Sequence, residues 1–327
     1  MEGRSRQRRP VSVGIGVTGY EPLLDYLLRK LHEESVVDEI ILVANGASLL
    51  SLKICRKWRG LDQRVKLIEY ENRIGINRVI NEILRIARGR IIVMIDADAI
   101  PVGDSIKRLI ECFKDDKVGA VSARQIPIKK LGIAAAVDRL MWQILESYKS
   151  FMNERNEAVH LGAVMYAFRK STVEEIPDSI AEEEYLGAVI LSRGFKVVYE
   201  DKSLAYFNNI DNVVDLLLQR ARTWRRHFEL NNYIKSKKLN LRNPKKFAEL
   251  APWNQFRIII RCLRAKPRTF GLFMIALIIE ILSLVYASIF LGDKDWVVIS
   301  SSKRIHHKDL GMATNLIDNA YRGSVSI

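Results

Sequence analysis

Two aspartates one residue apart, Asp96 and Asp98, directly follow the apolar run Ile91-Ile92-Val93-Met94-Ile95. That run shows no alternation and is rich in β-branched residues, so it reads as a buried parallel strand. Carboxylates at the carboxyl end of such a strand lie where open α/β sheets bind their ligands. As hard oxygen donors they suit Mg²⁺ or Mn²⁺, ions that bridge the phosphates of a nucleotide. A second group, Glu182-Glu183-Glu184, offers a proton acceptor. Adjacent carboxylates repel one another, and a partly buried member is raised toward neutrality. A third group, Gln219-Arg220-Ala221-Arg222-Thr223-Trp224-Arg225-Arg226, sets guanidinium forks beside an indole. The forks match phosphate oxygens, and the indole can stack against a sugar or base. The three groups together suit the departure of a diphosphate and deprotonation of an incoming hydroxyl. Each alone has a plainer reading: a solvated strand end, an acid-rich helix start, or a surface helix with snorkelling arginines.

The elements that must position these groups follow from the spacing of apolar residues. Strands are expected over Val11–Val17, Val37–Val43 (stopped by Ala44-Asn45-Gly46), Val65–Tyr70 and Ile91–Ile95. Helices over Glu21–His32, Leu49–Trp58 and Asn77–Ala87 separate them. This order predicts an α/β fold with a doubly wound, mostly parallel sheet and right-handed crossovers. Beyond about Ile126 the pattern is mixed. Helices are expected over Ala134–Glu154, Ser179–Ser192 and Val213–Asn232, with short strands at Ala163–Phe168 and Lys196–Tyr199. Trp253–Leu263 interleaves apolar and basic residues, and Phe270–Leu291 is an apolar run whose only charge is Glu280. At about 22 residues that run is long enough to cross a bilayer, although a charge near its middle is costly there. The expected organisation is a basic tail (1–10), a nucleotide-binding half (11–125), an acceptor-binding half (126–243), a membrane-associating region (244–292) and a polar tail (293–327).

The 327 residues include three widely spaced cysteines, which argues against a disulfide framework and for a reducing compartment. The opening residues are basic and lack an apolar core, so no secretory signal is expected. The formal net charge is +14, and the basic residues thicken between Arg220 and Arg268, just before the apolar run. That placement favours an anionic membrane surface over nucleic acid as a partner.

Taken in order, these residues resemble family 2 glycosyltransferases, the inverting GT-A group that includes polysaccharide synthases and dolichyl-phosphate mannose synthases. The likeness covers about Val11 to Trp224. Asn72-Arg73-Ile74-Gly75, Asn81 and Ala87-Arg88-Gly89 look like the segment that leads into the family's D-x-D. Glu183 stands eleven residues before Gly194, the spacing of the family's catalytic base, with Glu182 as the other member of the acidic pair. Gln219-Arg220-Ala221-Arg222 resembles the Q-x-x-R-W signature that engages diphosphate and acceptor, with Thr223 interposed before Trp224. Asn45 falls where the family usually carries an acidic residue that contacts the nucleobase. Trp296 and Ser300-Ser301-Ser302-Lys303 resemble a W…STK segment that relatives keep on the catalytic side. A single crossing by Phe270–Leu291 would put it on the opposite face.

The resemblance implies a GT-A fold with a nucleotide-diphosphate sugar donor, UDP- or GDP-linked, and Mg²⁺ or Mn²⁺. It implies a metal ligand in Asp98 and a ribose-contacting or supporting role for Asp96. The backbone around Gly14-Ile15-Gly16 and Arg73 would line the nucleotide pocket, and Gln219, Arg222 and Trp224 would engage the substrates. The acceptor would be a lipid-linked or cell-surface glycan at the cytoplasmic face of the membrane, with no nucleic acid involved. A sugar nucleotidyltransferase and a non-enzymatic basic membrane scaffold are the competing readings. The first lacks its usual basic loop, since Thr18-Gly19-Tyr20-Glu21-Pro22 has no Lys or Arg.

Overall fold

The structure is a computed structural model that describes residues 10–129, 131–178, 180–263, 269–289 and 303. The basic tail before Pro10, Trp296 and Ser300 to Ser302 lie outside the described residues. Eight strands form one sheet: β1 (Val11–Gly19), β2 (Glu39–Ala47), β3 (Val65–Tyr70), β4 (Ile91–Ile95), β5 (Ala99–Val102), β6 (Val118–Pro127), β7 (Met165–Arg169) and β8 (Lys196–Phe207). Their order is β3-β2-β1-β4-β7-β6-β8-β5. The strands from β3 to β4 run parallel, and β7 then enters antiparallel between β4 and β6. The helices are α1 (Leu24–Glu33), α2 (Leu49–Leu61), α3 (Ile76–Ile86), α4 (Ser105–Cys112), α5 (Ile133–Glu154), α6 (Glu182–Ser192), α7 (Val213–Ser236), α8 (Pro252–Leu263) and α9 (Thr269–Ile289).

Alternation along the strands divides the core in two. Val13, Ile15, Val93 and Ile95 pack with the leucines of α1 on one face of the sheet. Ile41, Ile92 and Met94 pack with Val79, Ile80 and Ile83 of α3 on the other. Both faces of β4 are therefore buried, which is why its sequence shows no polar alternation.

α4 and β6 have no counterpart in the expected pattern, and three further elements depart from it. β2 does not stop at Ala44 but pairs on through Asn45, opposite Tyr70 of β3. The side chain of Asn45 finds partners at the strand end, so a residue that usually breaks strands is satisfied here. β8 runs on to Phe207 past the polar stretch Glu200-Asp201-Lys202, because a register shift against β6 between Ala123 and Arg124 absorbs it. The short strand β5, with Pro101, closes the edge of the sheet, where a missing N–H costs no ladder bond.

Gly14 lies mid-strand between Ile41 and Met94. A Cβ there would come within 2.7 Å of Ile83 and 2.9 Å of the Met94 sulfur. Its lack of a side chain serves the packing of α3 on β1. Gly14→Ala is expected to destabilise by about 1–3 kcal/mol through overpacking, read as a lower denaturation midpoint with unchanged m.

Candidate active site

β4 ends at Ile95, and the chain then turns so that the Asp96 carbonyl accepts from the Ala99 N–H at 3.0 Å. The turn presents Asp96 and Asp98 at the carboxyl rim of the parallel strands. Asp96 is exposed at this rim, yet protein crowds around its carboxyl and displaces part of its solvent. That desolvation, with the negative charges of Asp98 and Glu183, holds its carboxyl well above the ordinary carboxylate range. Asp98 faces the Nζ of Lys303 at 3.5 Å. Lys303 also pairs with both carboxylate oxygens of Glu21 at 2.7 Å. Burial and the neighbouring Asp98 push Glu21 up to about 7 despite that lysine. Lys303 thus stands at the acidic rim beside Glu21 and Asp98.

The three glutamates opening α6 are separated by their partners. Glu182 is buried in an ion pair with Arg226 of α7. Glu184 is buried against His227 and Lys246, the latter at 3.0 Å. Burial alone would raise its carboxyl, but the His227 hydrogen bond and the two cations overcome that and lower it to about 2. Glu183 is left facing the cleft, where burial lifts its carboxyl against the opposing charges of His227 and Arg222. Arg222 in turn feels both Glu183 and Asp96, so the three meet in one electrostatic unit. Tyr166 of β7 feels the same two acids, and burial together with their charges raises its phenol strongly.

Helical geometry sorts the arginine cluster. Arg222 and Arg226, one turn apart on α7, face the acids. Trp224 lies two residues, about 200°, around the helix from Arg222. Its indole N–H donates to Glu280 of α9 at 3.0 Å, and Arg220 one turn earlier pairs with the same carboxylate at 2.6 Å. The interposed Thr223 therefore turns the tryptophan away from the acids and toward α9. Gln219 lies one turn before Arg222 and uses its carbonyl to accept the Thr223 hydroxyl.

At the rim of β1 and β2, the Asn45 amide oxygen accepts the Ile74 N–H at 2.6 Å, and its nitrogen reaches Thr18 at 3.4 Å. This pins the loop that carries Arg73. Gly46 has φ +64°, and a Cβ there would strike the Arg73 side chain at 2.8 Å. Arg73 is exposed and lies across Gly46, with a guanidinium nitrogen 3.6 Å from where a Gly19 Cβ would stand.

Among the described residues, no three His, Cys, Asp or Glu side chains are gathered as a complete metal cage. Asp98 with Asp96 beside it instead suits a hard ion that takes one or two carboxylates and completes its shell with phosphate oxygens and water. The donor set fits Mg²⁺ or Mn²⁺. Sequence reasoning missed Glu21 and Tyr166. Glu21 looks like an ordinary acid opening a helix, and Tyr166 like one more apolar position in a strand.

The linkage of Glu184 gives a stability prediction. Its folded value lies below its ordinary one, so its contribution is complete above about pH 4.5 and is lost as pH falls toward 2. The full effect is of order 3 kcal/mol at 1.36 kcal/mol per unit. Acid titration followed by circular dichroism should show this loss, and His227→Ala should flatten it. An unchanged acid midpoint in that variant would refute the pairing.

A model of glycosyl transferase family 2 matches residues 12–176. No curated protein matches the chain in sequence. Among solved structures, the fold is similar to the mannosyltransferase PcManGT from Pyrobaculum calidifontis, in complex with GDP-Man and Mn²⁺. The identity is 19%, the TM-score 0.61, and 89% of each chain is covered. TarS of S. aureus is also similar, at 13% identity and TM-score 0.49, covering 78% of this chain and 43% of that one.

Proposed function

The chain belongs to glycosyl transferase family 2, and on that premise we propose that it moves a sugar from a UDP- or GDP-linked donor to an acceptor hydroxyl with inversion at the anomeric carbon. The observation that carries this reading is that Asp96, Glu183 and Arg222 act on one another's charge, with Asp98 beside Asp96 in the chain. Glu183 takes the proton of the acceptor hydroxyl. Its raised carboxyl brings it closer to the pH at which a general base works best. Glu182 and Glu184 are committed to cations of α7 and its neighbourhood and hold α6 in place. Arg222 donates to the departing diphosphate, with Gln219 one turn earlier on the acceptor side. Arg73 and the Asn45-pinned loop close the nucleotide end. Asp96 accepts from the donor sugar or ribose.

Asp98 is the carboxylate that would hold a Mg²⁺ or Mn²⁺, whose contribution is to neutralise charge on the diphosphate. The mannosyltransferase of similar fold is seen with GDP-Man and Mn²⁺, the same classes of ligand. α9 is the described helix long and apolar enough to cross a membrane. With the basic residues before it, that supports an acceptor at the cytoplasmic face of the cell membrane, either a lipid carrier or a growing surface glycan. Membranes containing the enzyme, incubated with a panel of labelled nucleotide sugars, test this. Label is expected in the organic-solvent fraction with one donor, dependent on divalent cation. Absence of transfer from every donor, to either lipid or glycan, would overturn the proposal.

A further inference from the structure

We infer that the chain docks on one leaflet of a membrane through α8 and α9, with α9 lying along the surface and not crossing it. This rests on the membrane-facing acceptor proposed above and fixes the geometry of that contact. At 21 residues α9 is about 31 Å long, so length alone would allow a crossing. Three observations oppose it.

The first is what α9 is fastened to. Ala276, Ile279, Ser283 and Ala287 are buried along one face, about 17 Å of its length. Ala276 and Ile279 pack against Val137 of α5 and Leu216 of α7. Ser283 donates to the Leu217 carbonyl at 3.0 Å, and Glu280 holds Arg220 and Trp224. If α9 entered the hydrocarbon upright, α7 and its arginines would enter beside it, at a cost of several kcal/mol each. Lying flat, the same contacts keep Glu280 on the protein side.

The second is the return of the chain. Lys303 stands beside Asp98 and Glu21, on the side of the sheet rim where the chemistry lies. If α9 crossed, the chain would have to cross again before Lys303. Only about 14 residues separate Ile289 from Lys303, and Asp293, Lys294 and Asp295 are among them. A second helical crossing needs about 20 apolar residues, and an extended one would leave its backbone groups unpaired in lipid.

The third is the composition of the outward faces. On α9, Phe270, Ile278, Ile281, Leu282 and Ile289 are exposed. On α8, Trp253 is 71% exposed and stacks on the exposed Phe256, with the exposed Arg257 and Arg261 on the same helix. An aromatic pair beside arginines is the pattern of a helix at the headgroup boundary. α5 carries both helices: α9 packs near Val137, and Cys262 of α8 lies against Ser147. The net charge of +14 draws this surface to anionic lipid and opposes a second copy of the chain as its cover.

The test uses the full chain with an epitope tag at each end, added to sealed vesicles of phosphatidylcholine with or without phosphatidylglycerol. We expect flotation with the vesicles, at least tenfold stronger with phosphatidylglycerol, and removal of both tags by external protease. Ile278→Glu with Ile281→Glu should lower flotation at least tenfold. Arg257→Glu with Arg261→Glu should remove the phosphatidylglycerol preference, and the thermal midpoint of each variant checks that it folds. Flotation with one tag protected would overturn the flat orientation while leaving sugar transfer intact. No flotation, or flotation indifferent to both variants, would overturn the docking surface. A dimer in solution that the Ile278→Glu variant dissociates would assign the face to a second copy instead.

Discussion

Glu183→Gln is expected to lower kcat by about 10²–10⁴-fold, the usual contribution of a general base, with little change in donor affinity or thermal stability. The amide keeps the size of the side chain and removes its ability to take a proton. Its neighbours are committed to ion pairs with Arg226, His227 and Lys246, whereas Glu183 feels His227 and Arg222 through their charges. The neighbouring substitutions should behave differently. Glu182→Gln leaves Arg226 with a neutral partner in a buried setting, and Glu184→Gln does the same to His227 and Lys246. Removing one member of a buried pair costs up to about 3–5 kcal/mol, so these two should lose stability first and activity as a consequence. Three adjacent carboxylates thus predict one catalytic and two structural phenotypes. Side-by-side turnover and thermal melts of the three variants decide it. Near-normal turnover by Glu183→Gln would remove the base assignment. So would equal loss of stability in all three.

The same triplet shows where a sequence is informative and where it falls short. The periodicity from Val11 to Ile95 places four strands and three helices within a few residues, because each is buried on a face that its apolar pattern declares. The Asp pair is legible for the same reason, since a strand buried on both faces must end before charged residues begin. What separates Glu182, Glu183 and Glu184 is not local. Their partners Arg226 and His227 lie more than forty positions on, and nothing in the triplet itself tells the three apart. Glu21 and Lys303 are harder still, being 282 positions apart. Trp224 was open to a better reading. Two residues on a helix cannot share a face with Arg222, so Thr223 already implied a partner elsewhere, and Glu280 is that partner. β5 escapes a pattern reading because four residues including a proline carry too little periodicity to register.

Asp98→Ala is the second substitution of large effect, and its expected result separates activity from stability. Asp98, Asp96 and Glu21 share one rim, where the charges of Asp98 and Glu21 raise the Asp96 carboxyl and that of Asp98 raises Glu21. Lys303 relieves part of that repulsion, at 2.7 Å from Glu21 and 3.5 Å from Asp98. Deleting Asp98 removes a repulsive charge and leaves Lys303 its nearer partner, so the thermal midpoint should hold or rise. Sites built for ligands carry such strain, and relieving it costs function. The cost here should fall on the donor. If Asp98 is the carboxylate that shares a divalent cation with the diphosphate, Asp98→Ala should lose the part of UDP or GDP affinity that EDTA abolishes in the parent. kcat/KM should fall by about 10²–10³-fold, the scale on which loss of one charge-stabilising group operates. Calorimetric titration of UDP and GDP with Mn²⁺, with and without chelator, reads the first effect directly. Asp96→Asn is the contrast: it should weaken donor binding equally with and without chelator, because the proposed contact of Asp96 is to sugar. A parent and an Asp98→Ala variant with the same chelator-sensitive affinity would place the metal elsewhere, and with it the leaving-group end of the cleft.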